Sequence, residues 1–154
     1  MKFSPNDRYL LTVSRDRDWV VWDVPSRSLL AVSPPKSHAR IIWDCAWFTD
    51  LSFVTVARDK KLRFWNHTAE NTSWVAGAEK VFEQSVTAVD VCPATGMVGV
   101  GLESGDVCVC EGAEEKDIVL GCVVGSVNTV QWRPGGVGQL AAAGEDGSVV
   151  IVEM

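Results

Sequence analysis

A chain of 154 residues that is 47% apolar holds enough hydrophobic material for a buried core, and its 22% of charged residues is too few for a disordered one. The net charge of −6 argues against nucleic-acid binding as the main activity. The longest apolar run, residues 118–127, is broken by Gly121 and Gly125 and is too short to cross a bilayer.

No apolar run behind Lys2 reads as a signal peptide, and the five cysteines (Cys45, Cys92, Cys108, Cys110, Cys122) are odd in number and mostly replace strand hydrophobes. The expectation is a soluble cytoplasmic protein, also nuclear, with no membrane contact.

In chain order, the end of a strand at Phe3 is followed by strands at 9–14 and 18–23. Pro25-Ser26-Arg27 turns the chain into an outer strand at 28–32. Pro34-Pro35 then forces an extended linker that delivers His38. From 38 to 65 the chain reads as a β-meander. Ile41, Trp43, Cys45 and Trp47 alternate with Ile42, Asp44 and Ala46, and Phe53, Thr55 and Ala57 alternate with Val54 and Val56. Arg58-Asp59-Lys60 breaks this run, and Leu62, Phe64 and Trp65 resume it.

A polar loop to about residue 78 follows. It holds two sequons, Asn66-His67-Thr68 and Asn71-Thr72-Ser73, which read as chance matches. Strands are expected at 80–83 (outer), 86–91, 97–101 and 106–110. After an acidic loop at 111–117, four more are expected at 118–123, 127–132, 139–143 and 148–152.

The pattern repeats. Trp22, Trp65, Cys110 and Val152 form one column, 43, 45 and 42 residues apart, and six residues before them stand Asp16, Asp59, Ser104 and Asp146. A second column holds Phe3, Trp47, Val91 and Trp132, each followed by a turn. The units fall at about 1–23 (partial), 28–65, 80–110 and 118–152.

A period near 43 residues, four strands per unit and the Trp22-Asp23 dipeptide together resemble the WD-repeat β-propeller. The fold implied is all-β, a partial arc of about three and a half four-stranded blades. Such an arc leaves sheet faces uncovered, and the sequence reads as the tail of a larger protein.

In that family a His, a Ser or Thr, an Asp and a Trp form a buried hydrogen-bonded chain in each unit. The resemblance assigns Ser14, Asp16 and Trp22 to the first unit. It assigns His38, Asp59 and Trp65 to the second, which has Ala57 where the hydroxyl is expected. The later units keep Asp146, and their turns fall to Gly105 and Gly147, which can take positive φ.

Charge is unevenly divided. Residues 1–67 hold eleven of the fourteen Lys and Arg against seven acids, whereas residues 68–154 hold three bases against thirteen acids. The turns between second and third strands should share one rim, which would change from basic to acidic along the arc. Arg15, Arg17, Lys36, Arg40, Arg58, Lys60 and Lys61 are candidates for binding an acidic partner, protein or RNA; the plain alternative is a solvated set of turn charges.

Of the seven tryptophans, Trp22, Trp47, Trp65 and Trp132 lie in repeat columns and should pack between blades. Trp19, Trp43 and Trp74 do not, and are the partner-contact candidates.

Other chemistry is set aside. His38 with Asp59, and Ser14 with Asp16, lack a nucleophile or third group. Cys108-x-Cys110 has no second pair for zinc. Gly99-x-Gly101-x-x-x-Gly105 misses the dinucleotide spacing. No metal, cofactor or catalytic residue is expected, and His67 has no evident partner.

Longer strings are also similar to the C-terminal blades of a WD-repeat scaffold subunit in a tRNA-modifying complex. They are FSPNDRYLLTVSRDRDWVVWD, SHARIIWDCAWF with ARDKKLRFW, SVTAVDVCP with VGVGLESGDVCV, and GEDGSVVIV. This resemblance implies a non-catalytic scaffold that supports wobble-uridine modification through protein contacts. Its partners would be the other subunits, including a radical-SAM/acetyltransferase-like catalytic one, with a weak tRNA contact. The alternative is a WD-repeat peptide-binding adaptor unrelated to tRNA modification.

Overall fold

Period-two alternation between tight turns folds the chain into four antiparallel sheets laid down in sequence order. A computed structural model describes residues 1–68, 73–112, 118–135 and 138–154. The first sheet contains β1 (Lys2–Phe3), β2 (Tyr9–Val13), β3 (Trp19–Asp23) and β4 (Ser28–Val32). The second contains β5 (Ile42–Thr49), β6 (Ser52–Ala57), β7 (Lys61–His67) and β8 (Trp74–Val81). The third contains β9 (Val86–Val91), β10 (Val98–Leu102), β11 (Asp106–Cys110) and β12 (Ile118–Cys122). The fourth contains β13 (Val127–Trp132), β14 (Gln139–Gly144) and β15 (Val149–Glu153). Every pairing is antiparallel between chain neighbours, so each sheet is a meander. This is a partial WD-type propeller. Each outer strand pairs with the sheet that precedes it in the chain, which offsets sheets from sequence units by one strand.

Successive sheets pack face to face, with β5, β9 and β13 meeting along the inner edge. Leu11, Trp19, Val21, Phe53 and Trp65 fill the first interface. Val54, Val56, Val89 and Val100 fill the second, and Val107, Val130, Trp132 and Leu140 the third. The first is an aromatic cluster: Trp19 lies 5.1 Å from both Phe53 and Trp65, and Trp47 lies 5.1 Å from Phe53, all edge-on.

Half-buried carboxylates pin the inner strands together. Asp44 Oδ2 accepts the Val89 N–H at 3.1 Å, and Asp90 Oδ2 accepts the Trp132 N–H at 2.8 Å. Each thus satisfies a backbone donor on the neighbouring sheet's edge. Burial pushes both carboxyls above the usual carboxylate range, against the pull of those bonds.

Several expectations need correcting. The second outer strand is Trp74–Val81, not 80–83, because Val75 to Glu79 face solvent and give no apolar alternation. Trp19 and Trp74 are core residues, at 0% and 1% exposure, not contact candidates. Trp22 is the reverse: it sits on the open face of the first sheet at 38% exposure. His67 ends β7 with its ring 4.9 Å from Trp74.

The sequon at Asn71-Thr72 and most of the acidic run, residues 113–117, lie outside the described residues. The Cys45, Cys92 and Cys122 thiols are free, and of the five cysteines only Cys122 is exposed. Burial pushes the Cys45 thiol up to about 12, which leaves it unreactive packing material.

Candidate functional site

Two sites stand out, both at the rim where the turns between second and third strands emerge. The first is a closed hydrogen-bonded chain. Trp65 Nε1 donates to Thr55 Oγ1 at 2.9 Å, Thr55 Oγ1 lies 2.8 Å from His38 Nε2, and His38 Nδ1 lies 3.0 Å from Asp59 Oδ2. An indole N–H can only donate and a carboxylate can only accept, so the chain runs one way, with the imidazole proton on Nδ1. Asp59 also accepts the Ala39 N–H at 2.9 Å and the Lys61 N–H at 3.2 Å, which closes the turn onto the incoming linker.

Thus His38, Asp59 and Trp65 come together as the resemblance implied, but the hydroxyl is Thr55, not the position of Ala57. The two share a face of β6, two residues apart. The same shift occurs in the first sheet, where Trp22 Nε1 donates to Thr12 Oγ1 at 3.1 Å. Ser14 instead accepts the Asp16 N–H within its turn at 3.4 Å. The signal for finding the correct hydroxyls was the interval itself: both stand ten residues before their Trp.

The turn Asp acts alike in the first, second and fourth sheets. Asp16 Oδ1 accepts the Asp18 N–H at 3.0 Å and Asp146 Oδ1 the Ser148 N–H at 3.0 Å, as Asp59 does with Lys61. One position of these turns is left-handed throughout, at Arg17 (φ 79°), Lys60 (φ 68°), Gly105 (φ 97°) and Gly147 (φ 82°).

Burial tends to raise the Asp59 carboxyl, yet the His38 hydrogen bond and the Ala39 and Lys61 amides hold it below the usual range. A lowered folded-state value stabilises the fold above the unfolded value of ~3.9, and that stability is lost as pH falls through the folded value. The stability gap between wild type and Asp59→Asn should therefore be full at pH 6 and shrink towards pH 3. Thermal melts at the two pH values test this, and a gap that widens in acid would refute it.

The second site is a cavity of about 520 Å³ above this chain, lined by Arg17, Lys36, Lys61 and Arg63 together with Asp16, Asp18 and Asp59. It gathers three of the predicted rim bases and adds Arg63, which strand position had concealed. Lys61 and Arg63 both pair with Glu79, at 2.7 and 3.1 Å, and Arg63 also donates to the Ser37 carbonyl. Lys60 Nζ donates to the Glu83 carbonyl at 2.9 Å. Arg15, Lys36, Arg40 and Arg58 are exposed. Trp43 lies elsewhere, in a cavity with Glu103.

Four meander sheets around a Trp–Thr–His–Asp chain define a WD-repeat propeller arc, and the WD domain, G-beta repeat family model matches residues 1–23 and 29–66. The chain is a WD-repeat protein. Among curated proteins it is similar to Elongator complex protein 2 of Rattus norvegicus, 39% identical over 134 residues, covering 71% of this chain and 16% of that protein. Similarity to Elongator complex protein 2 of Drosophila melanogaster and of Schizosaccharomyces pombe reaches 33% and 32% identity across 100% of this chain. The chain spans 16% to 23% of the length of these relatives.

Proposed function

We propose that this chain forms C-terminal blades of a non-catalytic scaffold subunit of the Elongator complex, supporting modification of the tRNA wobble uridine through protein–protein contacts. The observation that carries the reading is similarity to Elongator complex protein 2 along the whole chain. The buried polar residues suit a scaffold. Both His38 ring nitrogens are committed within the fold, and its side chain is 0% exposed, so it presents no group to a reactant.

In this reading the partners are the other Elongator subunits, including the radical-SAM/acetyltransferase-like one, in the cytoplasm and also the nucleus. The exposed bases Arg15, Lys36, Arg40, Arg58 and Lys60, with Arg17 and Lys61, form the surface offered to an acidic partner or, weakly, to tRNA.

Native mass spectrometry of the endogenous protein, isolated through an affinity tag, tests the assignment. Recovery with a radical-SAM/acetyltransferase-like subunit is expected, and recovery without one would refute it. Changing Arg15, Arg58 and Lys60 together to Glu should weaken partner or tRNA binding at low salt. Unchanged binding of both would remove the rim from the proposal.

A further inference from the structure

Among the described residues, a left-handed backbone falls on five that are not glycine: Asp7, Arg17, Arg27, Lys36 and Lys60. That conformation costs free energy for any side chain with a Cβ, and a short Asn or Asp tolerates it better than a long base. In the third and fourth sheets the turn position of Arg17 is glycine, at Gly105 and Gly147. A base held there against that cost points to a use for it.

Lys60 has its use inside the fold, since its ammonium donates to the Glu83 carbonyl at 2.9 Å. Arg17 and Lys36 have none. Arg17 Nε donates only to the carbonyl of its neighbour Asp16, at 3.3 Å, and no hydrogen bond or ion pair among the described residues takes up the Lys36 ammonium.

The two bases belong to different elements yet meet at one place. Arg17 sits in the turn between β2 and β3, Lys36 in the linker between β4 and β5, and Arg63 on β7, and all three line the cavity of about 520 Å³. No residue of an inner strand lines it. Arg63 keeps its Nε buried without an acceptor, which leaves a guanidinium N–H unsatisfied on a residue of the wall.

The acids of the lining are engaged by the fold. Asp16 Oδ1 accepts the Asp18 N–H at 3.0 Å, Asp18 Oδ1 the Ser33 hydroxyl at 2.7 Å, and Asp59 is held by His38 and two amides. The side-chain donors without a partner are therefore cationic, in the half of the chain that holds eleven of the fourteen Lys and Arg. Guanidinium and ammonium groups converging on a polar cavity are the donors that hold phosphate oxygens, and the volume is in the range of small-molecule sites.

We propose that this cavity binds a free polyphosphate. Arg17 and Lys36 pair with its terminal oxygens, and Arg63 Nε donates to a further one. Its assay needs no Elongator subunit, so its failure would leave the scaffold reading untouched.

The probe is inorganic pyrophosphate, titrated calorimetrically into the complete protein at constant ionic strength, with sulfate as the control anion. Pyrophosphate should bind saturably, and about tenfold or more tighter than sulfate. Arg17→Gly and Lys36→Gly remove the cations but suit the left-handed backbone, so both variants should melt at about the wild-type temperature. Each should nonetheless weaken pyrophosphate about tenfold. Arg15→Ala removes an exposed base of the same turn that does not line the cavity, and should leave the affinity unchanged. Equal binding of the two anions, no binding of pyrophosphate, affinity that survives both glycine variants, or a loss that Arg15→Ala reproduces would each overturn the proposal. So would an RNA oligonucleotide that binds through Arg17 and Lys36 when pyrophosphate does not, because the cavity would then take a nucleic-acid backbone.

Discussion

Thr55→Val should lower the unfolding free energy by about 2–4 kcal/mol, one of the largest effects of any isosteric change in the chain. The substitution keeps the volume but removes the oxygen that joins two buried donor and acceptor groups. Trp65 Nε1 and His38 Nε2, on residues that are each 1% exposed, would both lose their partner and gain no water. Thr12→Val provides the internal control. It removes the same bond in the first sheet, from Trp22, but that indole is 38% exposed and can turn to solvent. Its loss should stay within about 1 kcal/mol. Urea unfolding of the two variants separates the cases: equal shifts in midpoint would mean that the buried chain contributes no more than an exposed one.

Gly105→Ala should cost about 3 kcal/mol or more, whereas Gly147→Ala should cost about 1–2 kcal/mol, although both glycines hold the same turn position. Positive φ is not the difference, because Arg17 and Lys60 tolerate it in the first two turns. The difference is space. A Cβ on Gly105 would lie 2.3 Å from the Val123 carbonyl oxygen and 2.7 Å from that of Gly125, and backbone cannot step aside. A Cβ on Gly147 meets nothing within 4 Å. The Val123 N–H also donates to the Gly105 carbonyl at 3.0 Å, so the clash would unfasten the outer strand there. Comparable melting temperatures for the two variants would sink this account.

Much of the fold was legible because it rests on period-two alternation and on turn chemistry, both local. The columns of Trp and Asp located the four units, and the Asp side chains cap their turns as their position required. What was not legible depends on neighbours in space. Trp19 and Trp74 fall outside the columns, yet they complete an aromatic cluster between sheets whose partners lie tens of residues away. Trp22 falls inside a column but faces no neighbouring sheet among the described residues.

The hydroxyl of the buried chain was misplaced because Ala57 and Thr55 share one face of β6, and alternation alone cannot choose between them. Arg63 escaped notice for a similar reason: it reads as an ordinary polar strand residue until β8 brings Glu79 beside it. The one-residue β-bulges that the inner strands carry at Trp43, Thr87 and Asn128 leave no mark in composition at all. They appear only as a slip in register, although the residues recur at nearly the repeat interval.

The one-strand offset between sheets and sequence units determines where this chain can be cut. A shortened version ending at Trp65 would respect the repeat written in the sequence but would strip β8 from its sheet. It would remove the buried Trp74 from the aromatic cluster and bare the hydrogen-bonding edge of β7. A boundary in residues 82–85 leaves the second sheet whole, although Phe82 and Ser85 are themselves buried there and would be the first side chains laid open to water. The natural units of expression are therefore the sheets, and a library of truncations should yield soluble protein in steps that follow the gaps before β5, β9 and β13.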